Sequence, residues 1–191
     1  MRTVTYGGAC SLDGFLAGAD GSIDWLRFSP EVGEIMATYW KDVDTILMGR
    51  KTWDFAQAQG GGGGADTSGM QSFVFSRTLS RIDHAGVQLV NEDAGAFVGA
   101  LKRKKGKGIC VLGGGDFARS LFEADVIDEV GLNVHPILLG TGVPAFLDAK
   151  HRVKLELREC RQLRSGCVYV KYRVKHARGA AKHARPASRA P

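Results

Sequence analysis

Residue types suited to binding phosphate occur together at three places where a predicted strand ends. The segments are Gly49-Arg50-Lys51-Thr52, Ser76-Arg77-Thr78 and Gly113-Gly114-Gly115-Asp116-Phe117. Glycine lets a backbone approach a ligand closely, a helix start offers free N–H groups, and arginine grips phosphate oxygens in a fork. Taken alone, each segment could be a tight turn or a solvated helix start. Three of them at strand ends predict a ligand with more than one phosphate, such as a dinucleotide.

The usual phosphate-binding motifs do not describe these segments. In G-x-G-x-x-G the later positions would fall on Ala118 and Arg119, and the glycines come late in the chain instead of after the first strand. Gly106-Lys107-Gly108 lacks the hydroxyl residue that follows the lysine of a P-loop. The nucleotide prediction therefore depends on where the strands end.

A fourth strand end carries Asp13, the candidate catalytic residue, as a polar anchor or proton relay in a cleft. The alternative is ordinary Asp-Gly turn chemistry, since Gly14 follows directly. His84, His135 and His151 are isolated in the sequence and are expected to be surface or packed histidines. The sequence has no nucleophile elbow and no metal-spaced histidine pair, so we expect no metal.

Hydrophobic patterning predicts alternating strands and helices. Strands are expected at 2–10, 45–48, 72–76, 87–90, 108–112, 127–134, 153–163 and 167–174. Helices are expected from Ser29-Pro30, near 52–57, over 94–104, and from the glycines at 113–115 through Phe122. The order predicts an α/β fold whose mostly parallel sheet ends in an antiparallel C-terminal hairpin.

Composition limits the class of protein. The chain has 191 residues, 44% hydrophobic and 24% charged, which fits one folded domain and excludes wholesale disorder. No apolar run is long enough to span a bilayer, and no signal pattern is present, so we expect a cytoplasmic protein without membrane contact. The four cysteines are scattered and indicate neither a zinc site nor disulfides.

Two segments depart from the domain pattern. Gly60 to Gly64 predicts a flexible surface loop, and residues 176–191 are basic, without acidic residues, and are expected to form a disordered tail. Most of the net charge of +6 comes from this C-terminal end. We expect the domain to cover residues 1–175 and nucleic-acid binding to be absent.

Five motifs, in order, resemble a known family. MGRKTW, VFSRT and VLGGGDFARSLF are similar to the three cofactor segments of the dihydrofolate reductase fold. SLDGFLA and IDEVGLNVHPILLGTGVPAF resemble the reductase domain of the riboflavin-biosynthesis deaminase–reductase, the RibD C-terminal domain family. The resemblance covers about residues 2–174. It implies a three-layer α/β/α dihydrofolate reductase-like fold, an NADPH-dependent reductase of riboflavin biosynthesis, a small-molecule substrate and a homodimer.

The resemblance also implies roles for residues. The cofactor would be bound by Ala9, Gly14, Phe15, Gly49, Arg50, Lys51, Thr52, Ser76, Arg77, Thr78, Leu112, Gly113, Gly114, Gly115, Asp116 and Phe117. The substrate would meet Ser11, Trp25 and Thr141. The Gly113–Gly114 peptide bond would be cis.

The departures from the family pattern leave the substrate open. Dihydrofolate reductases carry an acid on the first helix, but Glu31 and Glu34 do not fall on its position. The zinc signature of the deaminase half is not in this sequence. The resemblance favours 5-amino-6-(5-phosphoribosylamino)uracil reductase-like activity. The alternatives are a reductase of a pteridine, dihydrofolate or another small carbonyl or imine, and a non-catalytic nucleotide-binding module.

Overall fold

The computed structural model describes residues 1–59, 69–147 and 152–176. The glycine loop expected at 60–64 and nearly all of the expected tail lie outside the described residues. The described residues form ten strands and four helices. The strands are β1 Val4–Ser11, β2 Phe15–Ala17, β3 Val43–Gly49, β4 Gln71–Phe75, β5 Val87–Val90, β6 Gly108–Leu112, β7 Glu129–His135, β8 Val143–Pro144, β9 Lys154–Gln162 and β10 Val168–Lys175. The helices are α1 Pro30–Lys41, α2 Arg50–Ala58, α3 Ala94–Arg103 and α4 Gly115–Glu123.

Eight of the strands form one sheet in the order β5-β4-β3-β6-β1-β7-β10-β9. The pairs from β5 to β7 are parallel, whereas β10 is antiparallel to both β7 and β9. The prediction of a mostly parallel sheet with a C-terminal antiparallel hairpin is confirmed. A separate two-stranded ribbon, β2 with β8, was not predicted.

The sheet is covered on both faces, which completes the three-layer architecture. On one face the fully buried side chains of β1 and β6 pack with Val98 and Leu101 of α3 and Leu121 of α4. On the other face Ile46 and Met48 of β3 form a smaller cluster beside Trp40 of α1 and Trp53 of α2. The strands β3 and β6 are apolar along their length because their side chains are buried on both faces of the sheet, as expected of central parallel strands.

The first glycine of the pair in β1, Gly7, is required by packing. A Cβ on Gly7 would overlap the carbonyl oxygen of Gly131, its register partner on β7. The two strands therefore approach closely at this pair, and β1 continues to Ser11. Because β1 ends at Ser11, Ala9 and Ser11 lie near the carboxyl end of the strand, where the predicted site residues also lie.

Candidate functional site

The three phosphate-compatible segments lie on three neighbouring strands and leave the sheet at the same edge. Gly49, at the end of β3, is the register partner of Phe75 on β4, and Met48 is the register partner of Leu112 on β6. Because these strands are parallel, the residues that follow them meet at one edge. The structure thus brings the predicted cofactor segments together.

The helix starts at this edge fall into two kinds. Helices α1 and α3 are capped by side chains: Ser29 accepts from the N–H of Val32, and Asp93 accepts from the N–H of Ala96. Helices α2 and α4 begin after Gly49 and Gly114, and no side chain among the described residues caps either of them. Their first N–H groups are available to an anion, which the helix dipole also favours.

The glycine turn before α4 fits closely against the start of α2. Gly113 has φ 99°, and a Cβ there would overlap the hydroxyl of Thr52. A Cβ on Gly49 would lie 3.2 Å from the Cβ of Phe117. Gly113 and Gly114 are partly exposed, whereas Gly115 is buried under Leu147. The starts of α2 and α4 are therefore in contact, with Gly49 before α2 and Gly113 and Gly114 before α4.

The expectation of a cis bond between Gly113 and Gly114 is wrong for this structure. Every peptide bond within the described residues is trans. The turn is made instead by the positive φ of Gly113, a conformation that glycine adopts without a Cβ clash. Gly114 itself is extended, with φ −83° and ψ −179°.

Arg50 joins the start of α2 to the loop after β4. Its guanidinium donates to the Thr78 hydroxyl at 2.8 Å and to Asp54 at 3.2 Å. Ser76 is buried, and its hydroxyl accepts from the N–H groups of Thr78 and Leu79. Arg50, Lys51 and Arg77 are exposed at this edge. The side chain of Ser76 shapes the loop, while the three cations supply positive charge.

The unpredicted ribbon covers the other end of the glycine turn. A Cβ on Gly114 would lie 3.0 Å from Cγ1 of Val143 in β8 and 4.0 Å from Cδ1 of Leu16 in β2. Phe15 donates its N–H to the Ser11 hydroxyl at 2.9 Å, and Gly14 accepts from the N–H of Ala145. The ribbon thus ties the loop after β1 to the loop after β7 beside Gly114.

Asp13 anchors this arrangement. Its carboxylate accepts from the Ser11 hydroxyl at 2.6 Å and from the N–H groups of Leu139 and Gly140. The Ser11 hydrogen bond is the largest of the causes that lower the pKa of Asp13. An ionised carboxylate already holding three donors favours the anchor role over the proton-relay role. Thr141 lies next to this anchored loop and is exposed.

A polar cluster that the sequence did not reveal lies at the end of β7. His135 is only 2% exposed, and its Nδ1 accepts the main-chain N–H of Arg27 at 3.3 Å, with the Cys167 sulfur 3.5 Å away. Burial, and secondarily the charge of Arg27, lowers the pKa of His135. The Trp25 indole packs edge-on against the His135 ring, with centroids 5.4 Å apart. Asn133 lies 3.1 Å from Nε2 of the ring.

Two buried polar atoms in this cluster lack hydrogen-bond partners within the described chain: Nε1 of Trp25 and Oδ1 of Asn133. Trp25 packs on His135 and Ser11 is its register partner, so Asn133, which also contacts His135, lies beside two predicted substrate residues, at the predicted substrate side. His135 was expected to be a surface or packed histidine, and its burial shows that it is packed. The sequence gave no indication that Asn133 and Cys167 lie beside it. No sequence signal links them, because the β7–β10 register that joins these segments is visible only in the fold.

The first-helix acids lie beside the turn between β9 and β10 and along a cleft under α1. Glu31 accepts from the N–H of Arg164 at 2.8 Å and pairs with its guanidinium at 3.5 Å, at the turn between β9 and β10. Glu31 and Glu34 line a cleft of about 670 Å³ between α1 and the sheet face of β1, β7, β10 and β9. Three further carboxylates line it, Asp42, Glu129 and Glu159, together with Arg161 and Lys171, which pair with Glu159 and Glu129. Five carboxylates against two cations leave the lining net negative, which does not favour a phosphate-bearing ligand.

Other kinds of site receive no support. Within residues 1–59, 69–147 and 152–176, the side chains form no group that could hold a metal ion. None of the helices in this part of the chain is long and apolar enough to cross a membrane.

Comparison with known proteins gives a consistent family. A model of the RibD C-terminal domain matches residues 2–169. The protein YyaP of Bacillus subtilis (strain 168) is 33% identical over 181 residues, covering 90% of this chain and 95% of that protein. The crystal structure of a protein attributed to riboflavin biosynthesis, from Shewanella sp. PV-4, superposes with TM-score 0.78 and 25% identity, covering 92% of this chain and all of that one.

A more distant structure shows the same fold. Dihydrofolate reductase from Enterococcus faecalis, in complex with NADP(H) and RAB-propyl, superposes with TM-score 0.64 and 14% identity. The match covers 91% of this chain and 97% of that one. The dihydrofolate reductase-like fold is therefore confirmed.

Proposed function

The chain belongs to the RibD C-terminal domain family, and on that premise we propose that it is an NADPH-dependent reductase of the riboflavin-biosynthesis type. The observation that carries the proposal is the pair of uncapped helix starts, α2 and α4, on the adjacent strands β3 and β6. Two anion-binding helix ends side by side suit a pyrophosphate, which joins the two halves of a dinucleotide.

The residues present fit NADPH at both ends of that pyrophosphate. The missing Cβ of Gly49, Gly113 and Gly114 lets Phe117, Thr52 and Val143 pack against the backbone, which holds the two helix starts close together. Beyond Gly49, the exposed Arg50, Lys51 and Arg77 would meet the adenosine 2′-phosphate. Beyond Gly114, the β2–β8 ribbon and Ala9 would border the nicotinamide. When bound, NADPH would supply a hydride to an electrophilic carbon of the substrate.

The chain's own contribution is orientation and charge. Asp13 holds the loop after β7 against the end of β1, and the ribbon closes over Gly114. Reduction of a ribosylamino group to a ribitylamino group consumes one NADPH and one proton per turnover. The Glu31 carboxylate is held by Arg164, so the acid that assists pterin reduction has no counterpart from that side chain. This favours a ribosylaminopyrimidine over dihydrofolate as substrate.

The test is NADPH oxidation at 340 nm with 5-amino-6-(5-phosphoribosylamino)uracil, compared with dihydrofolate at equal concentration. We expect turnover of the uracil compound and at most slow turnover of dihydrofolate. The reverse preference would support the pteridine alternative. Binding of NADPH without oxidation in the presence of either substrate, or of small imines and carbonyls, would support the non-catalytic module.

We also propose that the chain forms a homodimer. Strand β9 is an edge strand of the sheet, and its Leu155 and Leu157 are 42% and 55% exposed. Exposed leucines on an open edge are a natural pairing surface. Sedimentation should give twice the chain mass, and Leu157→Lys should shift it to the monomer. A monomeric wild-type chain at micromolar concentration would refute the dimer.

A further inference from the structure

Asn133 lies in a hydrogen-bond network that fixes which of its amide atoms is unpaired. The Arg27 N–H points at Nδ1 of His135, so Nδ1 carries no hydrogen. The lowered pKa of His135 keeps the ring neutral, so its single hydrogen is on Nε2. Nε2–H must donate, and the Asn133 amide, 3.1 Å away, is its neighbour.

The amide end of asparagine has the same shape in either orientation, so its neighbours decide which atom faces where. Since Nε2 of His135 donates, the Asn133 oxygen faces the ring and the NH2 group takes the unpaired position that the structure gives to Oδ1. The other unpaired atom of the cluster, Trp25 Nε1–H, is also a donor. Both unpaired groups at the predicted substrate side are therefore donors.

Building on the proposed reductase function, we propose that Asn133 determines substrate specificity: with Trp25 it binds a carbonyl acceptor on the substrate ring and rejects an amino group there. His135 is the positioning residue that sets the Asn133 amide. A site whose donors face an amino group leaves them unpaired, which lowers affinity much more than a change of shape does.

Access to these donors requires movement of the segment that includes Trp25. Both unpaired atoms are shielded from solvent. Within the described chain, two hydrogen bonds join residues 18–28 to the rest of the protein, and Arg27 donates both. Its main-chain N–H donates to Nδ1 of His135 and its guanidinium donates to the Ser165 carbonyl, each at 3.3 Å. A buried donor without a partner carries an energetic cost. A ligand acceptor that enters as residues 18–28 move removes that cost.

The test uses two rings that differ by one group. 5,6-Diaminouracil has a carbonyl at ring position 2, where 2,5,6-triaminopyrimidin-4-one has an amino group. Each is titrated calorimetrically into the full chain with NADPH present, and the indole N–H resonance of Trp25 is followed by NMR. We expect the carbonyl ring to bind at least about tenfold more tightly and to shift that resonance.

Asn133→Asp replaces the outward NH2 by an acceptor oxygen and should reverse the preference, while Trp25→Phe should reduce it without reversing it. Gln88→Glu, the same chemical change on the exposed edge strand β5, should leave it unchanged. Equal binding, tighter binding of the amino ring, or no binding of either ring would overturn the proposal. If Asn133→Asp does not fold, the proposal is judged on Trp25→Phe, which should bind the carbonyl ring with a smaller preference than the wild-type chain does.

The proposal and the reductase function can fail separately. Binding of the carbonyl ring with the expected preference, but no NADPH oxidation with any substrate, would refute the reductase function alone. NADPH oxidation with no preference between the two rings would refute the role of Asn133 alone.

Discussion

Gly113, at the end of β6, lies against Thr52, in the first turn of α2, so closely that a Cβ on Gly113 would overlap the Thr52 hydroxyl. This contact holds the two uncapped helix starts side by side. The contact requires glycine at position 113 for two reasons. A Cβ would overlap the Thr52 hydroxyl, and φ 99° is a conformation that residues with a Cβ rarely adopt. The spacing of the two helix starts therefore depends on one residue.

Gly113→Ala is expected to lower the free energy of unfolding by about 1–3 kcal/mol, from backbone strain and overlap with Thr52. It should also weaken NADPH binding. Gly99→Ala is the matched control: Gly99 is inside α3, a Cβ there meets nothing within 4 Å, and the change should stabilise by about 0.5–1 kcal/mol. Urea unfolding measures both. Equal effects of the two changes would contradict the account.

Asp13 should release its loop only in strong acid. Its pKa is lowered in the folded protein, so its hydrogen bonds stabilise fully above the ordinary value of 3.8 and are lost as the pH falls through the lower folded value. The amide resonance of Gly140 should titrate with a midpoint below 3.8. In Asp13→Asn that titration should disappear.

The same variant separates the two roles considered for Asp13. If Asp13 anchors the loop, Asp13→Asn slows NADPH oxidation but leaves the shape of the pH–rate profile unchanged. Loss of one limb of that profile would identify Asp13 as a proton relay instead.

His135 should make stability depend on pH near neutrality. Because its pKa is lowered in the fold, the protein should lose stability as the pH falls from the ordinary histidine value of 6.5 toward the lower folded value. His135→Gln should remove this dependence and cost about 1–3 kcal/mol at pH 8, since the Arg27 N–H and Asn133 lose their partner. His84→Gln, an exposed control, should keep it. Urea midpoints from pH 5 to 8 would show the difference, and an unchanged slope in His135→Gln would contradict it.

Thiol reactivity should follow burial. Cys160 is exposed, whereas Cys10, Cys110 and Cys167 are buried. Burial raises the pKa of Cys10 to about 11 and that of Cys110 to about 12, so these thiols stay protonated and unreactive. A colorimetric thiol reagent should modify one cysteine rapidly and the other three only in denaturant. Cys160→Ser should abolish the rapid phase. A rapid phase that remains in this variant would show that a buried cysteine is reactive in the folded protein.

Local sequence patterns predicted most of the sheet. β5 and β6 have the predicted bounds, because a short buried apolar run between polar or glycine residues is a strong local signal. Ser29-Pro30 marked the start of α1, and Ser29 does cap it. The β2–β8 ribbon was missed because two or three residues are too few to show a period.

The site was only partly predictable for a related reason. The phosphate-compatible segments each follow a strand, so the parallel order was enough to bring them together. Asn133, His135 and Cys167 meet only through the pairing of β7 with β10, and Trp25 reaches them from an irregular segment. Such contacts are set by register and loop packing, which one sequence does not display. The same limit applies to the Gly113–Gly114 bond, where the expected cis form is replaced by a positive φ.

The central claim is that one sheet edge binds a dinucleotide with an additional 2′-phosphate. Its most direct test is a fluorescence titration of the full chain with NADPH and with NADH, repeated for Arg50→Ala and Arg77→Ala, with Arg103→Ala at the far end of α3 as control. The account predicts micromolar binding of NADPH, at least about tenfold weaker binding of NADH, and a smaller ratio in the first two variants only. Equal affinity for the two nucleotides, or no binding of either, would contradict it.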